Sequence, residues 1–121
     1  MLKVSDALIA LVALFHFGFM ILETFLWKGR IGAASFGMSK SMAETTAPLA
    51  ANQGVYNLFL AAGLVFAFTF RGEAPFRSVA TFFLACVVVA GMFGAATVSA
   101  RIFPIQSLPA IAGLLALWMG L

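Results

Sequence analysis

His16 and Glu23 lie inside one unbroken apolar stretch, and they are the side chains of this chain best suited to move a proton or hold a polar group in an oily surrounding. A charge at mid-membrane costs about 2.5 to 3.5 kcal/mol even on the lenient insertion scale, so something must offset it. His16, Met20, Glu23 and Trp27 are separated by 4, 3 and 4 residues, which at about 100° per residue places them on one stripe of a helix. That stripe is expected to face protein rather than lipid. Along the axis His16 and Glu23 stand about 10.5 Å apart at 1.5 Å per residue, too far to chelate one ion together. A second polar group follows in Asn52-Gln53-Gly54-Val55-Tyr56-Asn57. Asn52 with Tyr56, and Gln53 with Asn57, form two adjacent columns on a helix. Such amides either zip helices together, at about 0.6 kcal/mol per bond in a membrane, or line a cavity at one membrane face. Gln106, near the entry of a later apolar run, could cap the same cavity, and Thr97 could donate across a small-residue face. The candidate ligand-binding set is therefore His16, Glu23, Asn52, Gln53, Tyr56, Asn57, Thr97 and Gln106.

Other chemistries lack their residues. One histidine in the whole chain rules out a His-rich zinc site, and a bis-histidine haem would need two copies of the chain. Glu-x-x-His, His-Glu-x-x-His and P-loop patterns are missing. Ala33-Ala34-Ser35-Phe36-Gly37 faintly mimics a nucleophile elbow, but no sheet supports it. No metal and no cofactor is expected.

The elements that must position these residues follow from composition. Of 121 residues, 64% are hydrophobic and 9% charged, and the mean hydropathy is +1.10. An ordinary globular chain is about a quarter charged, so this chain cannot clothe a core against water and is read as lipid-embedded. Stretches 7–27, 49–70 and 78–100 are each long enough to cross hydrocarbon, and 105–121 follows Pro104 as a fourth, chargeless candidate. The expected fold is all-α, one transmembrane domain over 1–121, an integral membrane four-helix antiparallel bundle. Ser41-Met42-Ala43-Glu44 has capping-box spacing, which suggests a short interfacial helix between the first two spans. Pro48 suits the first turn of the second. The first stretch is too long and too polar for a cleaved signal peptide.

Seven Lys and Arg against four Asp and Glu punctuate the ends of the apolar runs, where they meet lipid headgroups rather than nucleic acid. Lys3, Arg71 and Arg77 on one side face Lys28, Arg30, Lys40 and Arg101 on the other, which leans toward termini outside. Cys86 has no partner cysteine and packs as a small hydrophobe. Trp27, Phe103 and Trp118 are expected as interfacial anchors. The Gly91 to Ala95 face permits close helix approach and is a candidate seam for a homo-oligomer.

The stretch from His16 through Glu23 to Trp27, Phe36-Gly37, the run from Ala51 to Leu64 around Asn52-Gln53-Gly54-Val55-Tyr56-Asn57, Gly91 to Thr97, and Gln106 to Ala110 together resemble the small bacterial four-span membrane proteins of the domain-of-unknown-function family numbered thirteen hundred and four. The likeness runs through nearly the whole chain, and the Asn-Gln-Gly-x-Tyr-Asn stretch is its most specific part. It implies a four-helix, multi-pass protein of the bacterial inner membrane and brings no activity with it. Gly18 departs from it, where a bulkier residue is expected, which loosens the packing expected around His16.

Three functions are open on the residues alone. A small binding or transport bundle would use Glu23, with His16, to exchange protons while the amides, Tyr56 and Gln106 hold a small amphipathic compound. Its size and single first-span glutamate are similar to those of small multidrug transporters, an architectural analogy only. A structural or accessory subunit would use the same polar residues as interhelical glue. A membrane-embedded enzyme on a lipophilic substrate would need His16 or Glu23 within reach of a shared cavity.

Overall fold

The computed structural model of the chain describes residues 1–121, and every element is helical. Helix α1 runs Val4–Phe25, α2 Arg30–Phe36 and α3 Lys40–Ala67, which tightens into a 3₁₀ turn at Phe68–Phe70. Helix α4 follows at Ala74–Thr97, then a π-helical turn at Phe103–Ser107 that runs directly into α5, Leu108–Met119. Three segments, Val4–Phe25, Lys40–Phe70 and Ala74–Thr97, are long and apolar enough to cross a membrane, whereas Phe103–Met119 is shorter.

Several boundaries differ from those expected, each for a local reason. Helix α1 ends at Phe25, two residues before Trp27, where the chain enters a turn closed by the Gly29 amide donating to the Leu26 carbonyl (3.1 Å). The short helix of the first connection is α2, not a helix opening at Ser41. Gly37 ends α2 in the left-handed region (φ 61°), and the Met38 amide returns to the Ala33 carbonyl at 3.1 Å, a closure that favours glycine. Helix α3 then starts early because the Ser39 hydroxyl accepts the Met42 amide (3.1 Å), so the capping side chain is Ser39 rather than Ser41. Pro48 consequently sits inside α3 instead of opening it. The ring removes one backbone bond to Glu44, and that residue is exposed, where solvent or headgroups can satisfy the freed carbonyl.

The helices divide between two compact units, Met1–Phe15 with Leu60–Leu121, and His16–Phe59. In the first, the core is drawn from four helices: Ile9, Val12 and Ala13 of α1, Leu64 and Ala67 of α3, Ala80, Leu84 and Val87 of α4, and Ala110 and Leu117 of α5, all buried. Many of these are small. Between helices in lipid there is no hydrophobic drive, so attraction depends on close backbone approach. On α4 the buried positions Ala80, Leu84, Val87 and Gly91 form one stripe, while Phe82, Val89 and Phe93 on other faces are 63 to 70% exposed. Large apolar side chains that far out suit lipid, not water.

The π-helical turn has a packing role within this unit. A Cβ at Gly91 would overlap the Ser107 hydroxyl and come within 3.0 Å of the Ser107 backbone nitrogen, and one at Gly94 would meet Ile102 at 3.0 Å. Gly91 and Gly94, on the face expected as an oligomer seam, thus pack against the chain's own next segment. Ser107, wholly buried, donates its hydroxyl to the Val88 carbonyl at 3.0 Å. Ser107→Ala is expected to lower stability by about 0.6 kcal/mol, the usual worth of such a bond in a membrane, measured by denaturant titration of the protein in micelles.

Where α1 begins, Asp6 accepts the Lys3 backbone amide (2.9 Å) and both Nε and Nη2 of Arg71 (3.0 and 2.7 Å) on one oxygen. This acidic side chain in the first turn also suits the helix dipole. Ser5 bonds the Leu121 carbonyl through its hydroxyl and its amide (2.7 and 3.2 Å), tying the end of α5 to the start of α1.

Candidate polar site

The second unit, His16–Phe59, contains the last part of α1, α2 and the first part of α3. Its frame is set at Trp27. The indole packs on Phe36 of α2 with ring centroids 4.8 Å apart and donates its N–H to the Thr46 hydroxyl of α3 at 3.0 Å. Gly32 of α2, fully enclosed, faces backbone: a Cβ there would strike the Trp27 carbonyl and lie 2.5 Å from that of Leu26. Further along, Gly54 of α3 brings the two long helices together. A Cβ on it would collide with the Thr24 hydroxyl and stand 3.2 Å from the Met20 carbonyl and 3.4 Å from the Glu23 Cβ.

That close approach is what lets the amides reach the carboxylate. Asn57 Nδ2 donates to one Glu23 oxygen at 2.6 Å, and Gln53 Nε2 donates to the other at 3.1 Å. Gln53 and Asn57 are one turn apart on α3, so both point at the same level of α1. Glu23 and Asn57 are each only 7% exposed, whereas Gln53 is exposed. Both partners of the carboxylate are neutral. The one ion pair of the chain is Asp6 with Arg71, so no Lys or Arg stands within pairing distance of Glu23, Lys28 included. Such a group can hold a proton or a cation. An amide turned over presents its oxygen instead of its nitrogen, so the same pair can serve a protonated or an ionised Glu23.

The remaining candidates fall elsewhere. His16 is 1% exposed, with its ring edge-on to Phe19 at 5.4 Å. With Ile9, Val12, Ala13 and Glu23 it lies on the single buried stripe of α1, as the helical spacing requires. Asn52 is exposed, and Tyr56 is 58% exposed with its ring edge-on to Phe59. Thr97 and Gln106 belong to the other unit. The Thr97 hydroxyl turns back to the Phe93 carbonyl of its own helix (2.7 Å) rather than across a helix pair, and Gln106 sits half-buried in the π-helical turn with its Cβ against Gly91. The carboxylate cluster is therefore Glu23, Gln53 and Asn57. Gly54, packed against Thr24, permits the close approach that builds it, and sequence reasoning misses both. Gly54, the one small residue within the amide run, is the available signal.

Of the anchors, Trp27 and Trp118 both spend their N–H on a threonine, Thr46 and Thr81 respectively. Outside the spans, the hydrogen bonds that Arg71 donates to Asp6 raise the pKa of its guanidinium above its already high ordinary value.

No curated protein and no solved structure matches the chain. A family model does, that of DUF1304, described as a protein of unknown function, over residues 10–118. This narrows the broader likeness read from the sequence. Residues 1–9 and 119–121 lie outside the match, and the family's description carries neither a bacterial source nor a count of four spans. What the match establishes is membership: with residues 10–118 aligned to its model, the chain belongs to the DUF1304 family.

Proposed function

We propose that this is a multi-pass membrane protein that binds, and moves in exchange for protons, a small amphipathic cation at Glu23. Phe103–Met119 serves as a short fourth span, which at 1.5 Å per residue falls somewhat below the roughly 30 Å of hydrocarbon and is accommodated by local thinning of the bilayer. The observation that carries the reading is a membrane-helix carboxylate held by two neutral amides with no cationic side chain to balance it. An uncompensated charge there is unfavourable, so the site is at rest only with a proton or a cationic guest. The amides fix the carboxylate without neutralising it, which leaves that place for the ligand. Tyr56 and Phe59 add an exposed aromatic pair next along α3, suited to an organic cation, and Asn52 lies on the same exposed side. His16, two turns from Glu23, is a second proton-binding group on the buried stripe of α1.

Tetraphenylphosphonium is a suitable probe, applied to the full chain in micelles between pH 5 and 9. Protons and the probe compete for one carboxylate, so binding is expected to weaken as pH falls through the Glu23 titration. Glu23→Gln removes the charge at constant shape and is expected to weaken binding tenfold or more, about 1.4 kcal/mol, and to abolish its pH dependence. Unchanged affinity in a Glu23→Gln protein of native helicity would sink the reading.

The second reading, internal glue, is favoured by one feature: at Gly54 the helices meet so closely that the same bonds zip α1 to α3. The two readings part on whether the cluster is needed for stability or for binding.

A further inference from the structure

A second polar feature lies in the first unit, apart from the Glu23 cluster. An open depression of about 620 Å³ is bounded by Lys3 and Asp6 at the start of α1, by Arg71, Gly72 and Glu73 in the turn before α4, by Phe76 and Arg77 in the first turns of α4, and by Leu117 near the end of α5. It thus sits where three apolar helices end, at the level where a bilayer's headgroups would lie. Three cationic and two anionic side chains line it. Arg71 and Asp6 neutralise each other at 2.7 Å, and the same Asp6 oxygen also accepts the Lys3 amide at 2.9 Å. The remaining side-chain charges are Lys3, Arg77 and Glu73, a net of one positive charge, and the Met1 amine on the rim adds to it. Lys3 is exposed and has no carboxylate within ion-pairing distance. Arg77 is held over the Trp118 ring, 5.0 Å from its centroid, with only a long bond of 3.4 Å to the Leu117 carbonyl, so most of its five donors face outward.

We propose that this depression binds the phosphate group of a membrane phospholipid through Lys3 and Arg77. One phosphodiester carries a single negative charge and would balance the net side-chain charge of the cleft. Arg77 supplies a planar fork matched to phosphate oxygens, Lys3 a mobile point charge, and the indole of Trp118 an amphipathic wall of the kind found at headgroup level. Phe76 and Leu117 offer apolar surface to the glycerol and the first methylenes. Glu73 opposes the anion and keeps the affinity moderate.

The test uses the full chain purified in micelles of mixed phosphatidylglycerol and phosphatidylcholine, with retained lipid counted by native mass spectrometry. Phosphatidylglycerol is expected to be retained preferentially, because its phosphate lacks the choline that neutralises the other headgroup. Lys3→Gln and Arg77→Gln are each expected to lower that preference roughly fivefold, the usual worth of one cation near an anionic surface. Glu73→Gln is expected to raise it, a gain that simple misfolding cannot mimic. Soluble glycerol phosphate, added as a competitor, separates the sources: displacement of the lipid at millimolar concentration would show that a free phosphate, not a lipid, is the natural occupant and would overturn the assignment. Equal retention of both lipids, or a preference indifferent to Lys3→Gln and Arg77→Gln together, would overturn the site itself.

Discussion

Gly32→Ala is expected to open the second unit around Trp27, at a loss near the upper end of the 1 to 3 kcal/mol range typical of overpacking. The added methyl has nowhere to go: the atoms it meets are the Trp27 and Leu26 backbone carbonyls, not the flexible tip of a side chain, so no rotamer change relieves the clash. Helix α2 has only seven residues, too few to be stable alone, and its order depends on being seated against the turn after α1. Relief is therefore expected by displacement of α2, which parts Trp27 from Phe36. In a Trp118→Phe background the emission of Trp27 reports this directly and should shift to longer wavelength, with faster amide exchange in Arg30–Phe36. Gly18→Ala is the internal control. A methyl group on Gly18 would have no atom within 4 Å, and alanine is the better helix former by up to about 1 kcal/mol. A Gly32→Ala protein as stable as the control would show that α2 is not seated against the Leu26 and Trp27 carbonyls.

The same glycine shows what sequence can and cannot convey. Hydropathy locates the apolar spans, and the spacing from His16 to Glu23 locates the buried stripe of α1, because both follow from the chain's own periodicity, whereas Trp27, expected on the same stripe, falls beyond the end of the helix. The pairing of Glu23 with the amide run is also accessible, since two polar groups on apolar helices gain most by meeting each other. Hidden are the features fixed by neighbours distant in sequence. Nothing local distinguishes Gly32, walled in by backbone, from Gly18, open on all sides. Nothing in Ser41-Met42-Ala43-Glu44 reveals that Ser39 caps first and carries α3 past Pro48, where the freed Glu44 carbonyl belongs to an exposed residue and the loss of one hydrogen bond is tolerated. The pair of Asp6 and Arg71 spans 65 residues, a separation no periodicity records. Within the amide run, burial of Asn57 beside exposed Asn52, Gln53 and Tyr56 follows from the contact at Gly54, which sets which column turns inward.

Removing Asn57 and removing Glu23 together is expected to be less harmful than removing Asn57 alone. Asn57→Leu leaves a carboxylate oxygen, 7% exposed as a residue, without its 2.6 Å donor. Bonds to charged groups contribute about 1.5 to 3 kcal/mol in water-soluble proteins, whereas those between membrane helices average about 0.6 and reach about 1.7. The carboxylate argues for the top of the membrane range, and the option of taking up a proton sets a ceiling on the loss, so about 1.5 kcal/mol is expected. In Glu23→Leu with Asn57→Leu both needs vanish, and two leucines of similar volume replace them. A buried polar pair exchanged for packed apolar groups is often neutral or stabilising, so the double variant should return to within about 0.5 kcal/mol of the parent, the tolerance for independent sites, while binding of tetraphenylphosphonium is lost. Denaturant titration in micelles gives the coupling, and the probe gives the function. A double variant as unstable as Asn57→Leu would mean that the fold needs the bonded pair itself, and the glue reading would then hold. A stable double variant without binding leads the other way: a costly carboxylate that the fold does not need is kept for what it binds.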